Sequence, residues 1–240
     1  MKRAIIIGAS SGMGLEISKL LLADGWHIGA AARRRDRLEQ LKAIDPSKVD
    51  IEMIDVTSDD APLKTKGLID RMGGINLFVY VSGIGHQNRK LDIHVERDTL
   101  KTNALGFTQM IDTAFNYMAN NCGGQIAVIS SIAGTKGLGA APSYSATKAF
   151  QNKYIQSLEQ LANMRHLHIH FTDIRPGFVD TDLLNDGNRY PLLMKKEKVA
   201  KEIVNAIYDK KHVWVIDWRW RVITFFWQLI PNIVWRRMNI

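Results

Sequence analysis

Tyr144 and Lys148 stand one helical turn apart in Tyr-Ser-Ala-Thr-Lys, and Ser131 lies thirteen positions upstream of the tyrosine. At i and i+4 the phenol and the ammonium share one face of a helix. A free tyrosine is a poor acid or base near neutrality, with a reference pKa of about 10. A nearby ammonium favours the phenolate and brings the group towards a working pH. Ser131 follows an apolar run, Gln125–Ser130, and its hydroxyl can donate to a carbonyl oxygen on which charge develops. Asn103, in Lys-Thr-Asn-Ala-Leu-Gly, falls within a helical pattern. A polar amide facing inward there needs a partner, and a water leading to Lys148 suits it. Taken singly, Tyr144 reads equally as a core aromatic and Ser131 as a helix cap. Their joint spacing is what points to chemistry.

A second set lies near the N-terminus, where Ile5-Ile6-Ile7 runs into Gly8-Ala-Ser10-Ser11-Gly12-Met13-Gly14. Glycines at 8, 12 and 14 permit a tight turn, a close backbone approach to a pyrophosphate and packing of the next helix on a sheet. The helix that begins near Met13 adds N–H donors and a positive dipole. The next apolar run ends in Ala32-Arg33-Arg34-Arg35-Asp36-Arg37. A carboxylate here would accept from a ribose 2′-hydroxyl, whereas guanidinium groups bind a 2′-phosphate through charge-assisted bonds. Arg33 and Arg34 therefore favour NADP over NAD, while Arg35 and Arg37 read as a solvated helix start. Asp55-Val56 is placed to meet an adenine, or Asp55 caps the turn before Ser58-Asp59-Asp60.

These residues need a scaffold, and the chain supplies alternating patterns throughout. Arg3–Ile7, Trp26–Ala32, Ile51–Ile54, Leu77–Val81, Gln125–Ser130, Ile169–Ile174 and Val213–Ile216 read as strands. Gly14–Ala23, Asp36–Ala43, Ala61–Arg71, Asp98–Met118, Tyr144–Met164 and Glu197–Tyr208 carry apolar residues at helical spacing. Several strands are apolar on both faces, as expected where helices cover a parallel sheet twice. The pattern predicts one α/β domain over 1–217, a doubly wound, parallel, seven-stranded sheet of Rossmann type. With 240 residues, 46% of them hydrophobic, the chain can bury a full core. The single Cys122 forms no internal disulfide and suits a reducing, cytoplasmic compartment. The apolar run Ala4–Ile7 is too short for an export signal. No metal-ligand spacing and no recognition-helix pattern appears, so neither a metal nor nucleic acid is expected.

The chain resembles a short-chain dehydrogenase/reductase of the compact type, from Lys2 to about Ile216. The family's Gly-x-x-x-Gly-x-Gly loop is matched by Gly8, Gly12 and Gly14. Its Tyr-x-x-x-Lys pair is matched by Tyr144 and Lys148, its serine by Ser131 and its asparagine by Asn103. The resemblance implies that Tyr144 donates a proton, Lys148 lowers its pKa and holds a ribose, Ser131 orients the carbonyl and Asn103 anchors a relay water. It also places Pro176-Gly177, Val179 and Thr181 by the nicotinamide, with Ser82-Gly83 approaching the cofactor. The implied activity is hydride transfer between NADP(H) and a carbonyl or secondary alcohol, as a reductase and commonly as a homodimer or homotetramer. One departure is Tyr80-Val81-Ser82-Gly83, where the family commonly has Asn-Asn-Ala-Gly. The first asparagine, which usually ties the sheet together, is absent, so local stability is in question. A non-catalytic dinucleotide sensor or scaffold need not keep Tyr144 and Lys148 together. Nucleotide-sugar epimerases share the pair, but the roughly 60 residues after Pro176 leave little room for their C-terminal domain.

Substrate choice falls to Asp182–Met194, with Gly187 for mobility, Pro191 as a boundary, and leucines and Met194 to close over an apolar substrate in a fairly open pocket. Arg189 reads as an acid-recognising or simply exposed arginine; His86 reads as a substrate-mouth or solvent-facing histidine. The tail 218–240 has four arginines, four tryptophans and no acidic residue, and supplies half of the net charge of +8. Pro231 interrupts it, well short of the roughly 20 apolar residues of a membrane span. Contact between copies, a membrane surface and packing on its own domain are all compatible with this composition.

Overall fold

The computed structural model describes residues 2–184, 187 and 189–239. Ile5-Ile6-Ile7 lies in β1 (Arg3–Ile7), an interior strand of the main sheet. Ala4 and Ile6 enter one apolar layer and Ile5 and Ile7 the other, all at most 1% exposed. That period-two division between two buried faces is why the strands read as unbroken apolar runs. The companion strands are β2 (His27–Ala32), β3 (Val49–Met53), β4 (Leu77–Tyr80), β5 (Gly124–Ile129) and β6 (Ile169–Pro176). Two short strands, β7 (Val179–Asp180) and β8 (Met194–Lys195), pair with each other, and β9 (Val213–Ile216) closes the main sheet. The order is β3-β2-β1-β4-β5-β6-β9, all seven parallel.

One layer holds α1 (Gly12–Ala23), α2 (Arg35–Lys42) and α7 (Lys196–Tyr208); the other holds α3 (Ala61–Arg71), α5 (Phe107–Ala119) and α6 (Pro142–Met164). The predicted doubly wound, Rossmann-type α/β sheet is therefore present. The order reverses between β1 and β4, so loops after these strands and after β5 and β6 meet at one sheet edge.

Three local differences bear on the site. The helix expected from Asp98 begins earlier, as α4 (Ile93–Leu100), because the Asp92 carboxylate accepts from the His94 N–H at 2.9 Å and caps it. Between α4 and α5, residues Lys101–Gly106 form a π-helical stretch with Asn103 inside it. Tyr80, standing in place of the usual asparagine, is fully buried and sets its ring edge-on to Phe107 with centroids 5.3 Å apart. Aromatic packing thus fills the position where an amide link was missing, and burial pushes the phenol pKa strongly upwards.

The tail forms α8 (Trp218–Leu229) and α9 (Asn232–Trp235). Trp220 is 3% exposed in the core and Trp235 donates its indole N–H to the Gly137 carbonyl at 2.8 Å. The inner face of the tail thus packs on its own domain. Its outer face remains exposed.

Candidate active site

The N-terminal glycines are demanded by backbone contacts. A Cβ on Gly14 would lie 2.1 Å from the Gly8 carbonyl oxygen, and one on Gly8 would lie 2.9 Å from the Ser82 nitrogen. Gly8 and Gly12 also have φ values of +97° and +54°, where side chains are strained. The loop therefore holds the start of α1 tightly against the ends of β1 and β4. Met13 packs on the core beneath it. The Thr181 methyl lies 3.3 Å from where a Gly12 Cβ would be, so the segment after β7 closes on this loop.

Arg34 turns back from the end of β2 and donates to Ser11 Oγ at 2.6 Å and to Ser10 Oγ at 3.2 Å. Its other terminal nitrogen lies 4.0 Å from Asp182, a pair too exposed to hold it firmly. A guanidinium and two hydroxyls converging beside a glycine turn are a donor set that fits a phosphate. Arg33 lies near Asp55. Burial raises the Asp55 pKa, but hydrogen bonds from Thr57 and the charge of Arg33 outweigh it and leave the net shift downwards. Asp55 accepts from the Thr57 N–H at 2.9 Å and hydroxyl at 2.8 Å, so it caps the turn. The Val56 carbonyl accepts from Gln109 and lies 2.6 Å from where a Gly106 Cβ would be.

At the other end of the crevice, Ser131 caps a short 3₁₀ turn by accepting from the Ala133 N–H at 3.1 Å. The reading of Ser131 as a cap is therefore met. The Ser131 hydroxyl lies near enough to the Tyr144 phenol to lower that group's pKa. Lys148 is 4% exposed, with Nζ donating to the Ile129 carbonyl at 3.3 Å and to Gln151 Oε1 at 3.0 Å. Nζ lies 5.8 Å from the centre of the Tyr144 ring and 3.6 Å from where a Gly83 Cβ would be.

Electrostatics here differ from the simple expectation that Lys148 depresses the Tyr144 pKa. Burial pushes the Tyr144 phenol up, opposed by the Ser131 hydrogen bond. Burial also pulls Lys148 down to about 8, with the charge of Asp173 resisting. Both groups are being driven towards their neutral forms. The Tyr144 phenol is thus held in its protonated form, and the Lys148 ammonium loses its proton more readily than a free one.

Asn103 is fully buried and its side chain ties a loop rather than facing Lys148 directly. Its Oδ1 accepts from the Ile84 N–H at 2.9 Å, and its Nδ2 donates to the Ile84 carbonyl at 2.7 Å and to Thr147 at 3.3 Å. The Asn103 carbonyl accepts from Gln151 Nε2 at 2.8 Å. The fully buried side chain of Gln151 thus links the Asn103 carbonyl to Lys148 Nζ. Gln151 escaped the sequence reading because it lies at neither end of the Tyr-x-x-x-Lys pattern. Its one legible signal is an amide three residues after Lys148 on the inward face.

Gly85 was missed as well. A Cβ there would lie 2.5 Å from Tyr144 Cδ2 and 2.6 Å from Cε2. His86, beside it, is exposed. After β6, Gly177 lies against Trp220, whose indole nitrogen would be 2.2 Å from an added Cβ. Pro176 ends β6, and Val179 is buried and paired with Met194. Met194 therefore belongs to the core, correcting its placement over the substrate; Leu183 and Leu193 remain exposed. Asn185, Asp186 and Asn188 lie outside the described residues. Gly187 has φ +77°, Tyr190 packs on Phe178 with centroids 4.8 Å apart, and Arg189 is exposed.

A pH dependence follows. If Lys148 acts as an ammonium, it is charged below a pKa of about 8 and loses its proton above it. A kcat/KM that depends on this charge is expected to be flat below that pH and to fall about tenfold per pH unit above it. Gln151→Glu places a carboxylate beside Nζ, favours the ammonium and moves the falling limb to higher pH. A profile flat through pH 9.5, or a limb that Gln151→Glu leaves in place, would refute this assignment.

The profile of the short chain dehydrogenase family matches residues 2–190. A protein of Myxococcus xanthus described as an uncharacterized oxidoreductase is 29% identical, over 96% of this chain and 93% of its own length. One of Mycobacterium tuberculosis with the same description is 28% identical, over 98% and 96%. A zebrafish (Danio rerio) protein, dehydrogenase/reductase SDR family member 7B, is 25% identical over 88% of this chain and 75% of its own length. Among solved structures, an alcohol dehydrogenase of Thermococcus sibiricus complexed with 5-hydroxy-NADP superposes with a TM-score of 0.78 at 24% identity, over 90% of this chain and 95% of that one. An actinorhodin polyketide ketoreductase variant with NADPH gives 0.78 at 21%, over 90% and 95%.

Proposed function

The chain belongs to the short chain dehydrogenase family, and on that premise we propose that it is an NADP-dependent reductase of a carbonyl compound, working reversibly on the corresponding secondary alcohol. The observation that carries this reading is the meeting of Ser131, Tyr144 and Lys148 at the sheet edge that also holds the glycine loop. NADP rather than NAD is supported by Arg34 bridging the hydroxyls of Ser10 and Ser11. A bare dinucleotide sensor would have no use for a buried lysine beside a phenol.

The mechanism follows from the residues. Ser131 and Tyr144 orient the substrate carbonyl by donating hydrogen bonds to its oxygen, where negative charge grows. When bound, the nicotinamide supplies a hydride to the carbonyl carbon. Tyr144 gives its proton to the oxygen, so the carbonyl becomes an alcohol without releasing a free alkoxide. Its raised pKa keeps it protonated until that moment. Lys148 then stabilises the phenolate through its positive charge, and Gln151 with the Ile129 carbonyl fixes where that charge sits. Gly8, Gly12, Gly14, Ser82 and Gly83 form the backbone approach, and Pro176, Gly177, Val179 and Thr181 the nicotinamide side. A cytoplasmic location and assembly as a homodimer or homotetramer belong to the same reading.

The test is a fluorescence titration with NADPH and NADH, followed by a carbonyl screen that monitors NADPH consumption. NADPH should bind far more tightly. Arg33→Asp combined with Arg34→Ala should weaken NADPH about 100-fold, from two lost charge-assisted contacts, and NADH by no more than about threefold. Equal binding of both dinucleotides by the parent, or unchanged discrimination in the variant, would remove NADP from the reading. No binding of either would remove hydride transfer itself.

A further inference from the structure

We infer that the outer face of the tail, on α8 and α9, is a docking surface for an anionic lipid bilayer. This goes beyond hydride transfer and does not depend on it.

The helix α8 is apolar on two sides. Trp220 and Thr224 are buried, and Ile223 and Trp227 pack against the core from the same side. On the other side Trp218, Val222, Phe225, Phe226 and Leu229 recur at helical spacing and point outwards, and Ile233 of α9 continues the patch. Trp218 is 68% exposed, Leu229 63% and Ile233 66%. Large apolar side chains in a continuous exposed row are costly in water and mark a surface that something covers.

Charge decides what covers it. Residues 218–240 carry four arginines and no carboxylate side chain. Arg219 is held by Asp217 at 2.6 Å, and Arg221 lies over the Trp214 ring at 4.1 Å. Arg236 and Arg237 are exposed at the end of α9. A twofold contact between copies would set this patch against itself, because such interfaces are self-complementary. Arg236 and Arg237 would then be brought towards their own copies with no acid in 218–240 to answer them. An anionic bilayer answers both features, accepting aromatic and aliphatic side chains at its interface and guanidinium groups at its headgroups.

The inner side of the tail is held in place by the loop between Ser131 and Tyr144. Lys136 Nζ donates to the Ile230 carbonyl at 3.0 Å and to Asn232 Oδ1 at 2.9 Å. Residues 136–139 line a cavity of about 440 Å³ together with Asn232, Trp235, Arg236 and Met238. The surface that meets lipid is thereby fixed to the substrate side of the molecule. Deleting 218–240 would strip Trp220 from the core, so exposed-residue substitutions are the cleaner probe.

The experiment is co-sedimentation of the full chain with vesicles of phosphatidylcholine, alone or mixed with phosphatidylglycerol. The parent should bind the mixed vesicles and be released as salt rises. Phe225→Glu with Phe226→Glu, and separately Arg236→Glu with Arg237→Glu, should each lower partitioning at least about tenfold, since both the apolar and the charged contribution are needed. Unchanged circular dichroism and Tm would show that each variant is folded; Leu229→Glu with Ile233→Glu replaces any that is not. No parent binding at low salt, or binding that all these variants retain, would overturn the inference. So would a parent dimer in analytical ultracentrifugation that Phe225→Glu/Phe226→Glu splits while vesicles are ignored, because the patch would then belong to a second copy.

Discussion

Tyr144→Phe is expected to lower reductive kcat by about 10³-fold, the scale of a lost general acid, while NADPH affinity stays within about twofold of the parent. The substitution deletes one oxygen and leaves the ring where Gly85 and Lys148 surround it. What disappears is the proton that the carbonyl oxygen must acquire and one of the two hydrogen bonds that orient it. Because burial raises the Tyr144 pKa, the parent phenol stays protonated across the range in which Lys148, at about 8, titrates. The variant should therefore be depressed at every pH in that range rather than show a displaced limb. Single-turnover kinetics with saturating NADPH measure this without interference from product release. Turnover within tenfold of the parent would mean that the proton comes from another group, and the roles given to Ser131, Tyr144 and Lys148 would fall together.

The sheet was legible in the sequence because its strands are buried on both faces and its helices on one, which imposes different periodicities on neighbouring segments. Tyr144 and Lys148 stood out because they share one helix turn, and Ser131 because it follows a strand. Gln151 and Gly85 did not. Apart from the i,i+3 bond of Gln151 to Lys148, their contacts run across the crevice, to the Asn103 carbonyl and to the Tyr144 ring, which local spacing does not encode. The π stretch at Lys101–Gly106 was hidden for a related reason: one widened turn barely disturbs a long helical pattern. The tail set a different limit. A helix with apolar residues all round gives no hint of which side meets the core, so only the fold reveals that Trp220 points in and Phe225 out. Asp55 shows a similar limit, since a cap and an adenine contact use the same carboxylate at the same strand end.

Gly85→Ala is expected to reduce kcat/KM about 100-fold, the scale of an ångström-sized misplacement of a reacting group, with the fold intact. A methyl group here would sit 2.5 and 2.6 Å from two carbons of the Tyr144 ring and 3.2 Å from a third, Cγ. Those atoms lie near the root of the side chain, so the ring cannot escape by swinging its tip. Either the phenol turns away from Ser131, or the loop after Ile84 lifts. Lifting the loop strains the paired hydrogen bonds that Asn103 makes to the Ile84 N–H and carbonyl, so displacement of the ring is the easier route. Gly85 is not among the positive-φ glycines, so alanine brings no backbone strain of its own. Far-UV circular dichroism and Tm should accordingly match the parent, and NADPH affinity should change little. Gly139→Ala, with nothing within 4 Å of its added Cβ, serves as the control and should remain fully active. Parent-like activity in Gly85→Ala would show that the working enzyme does not hold Tyr144 against this glycine, and that the loop rather than the ring gives way.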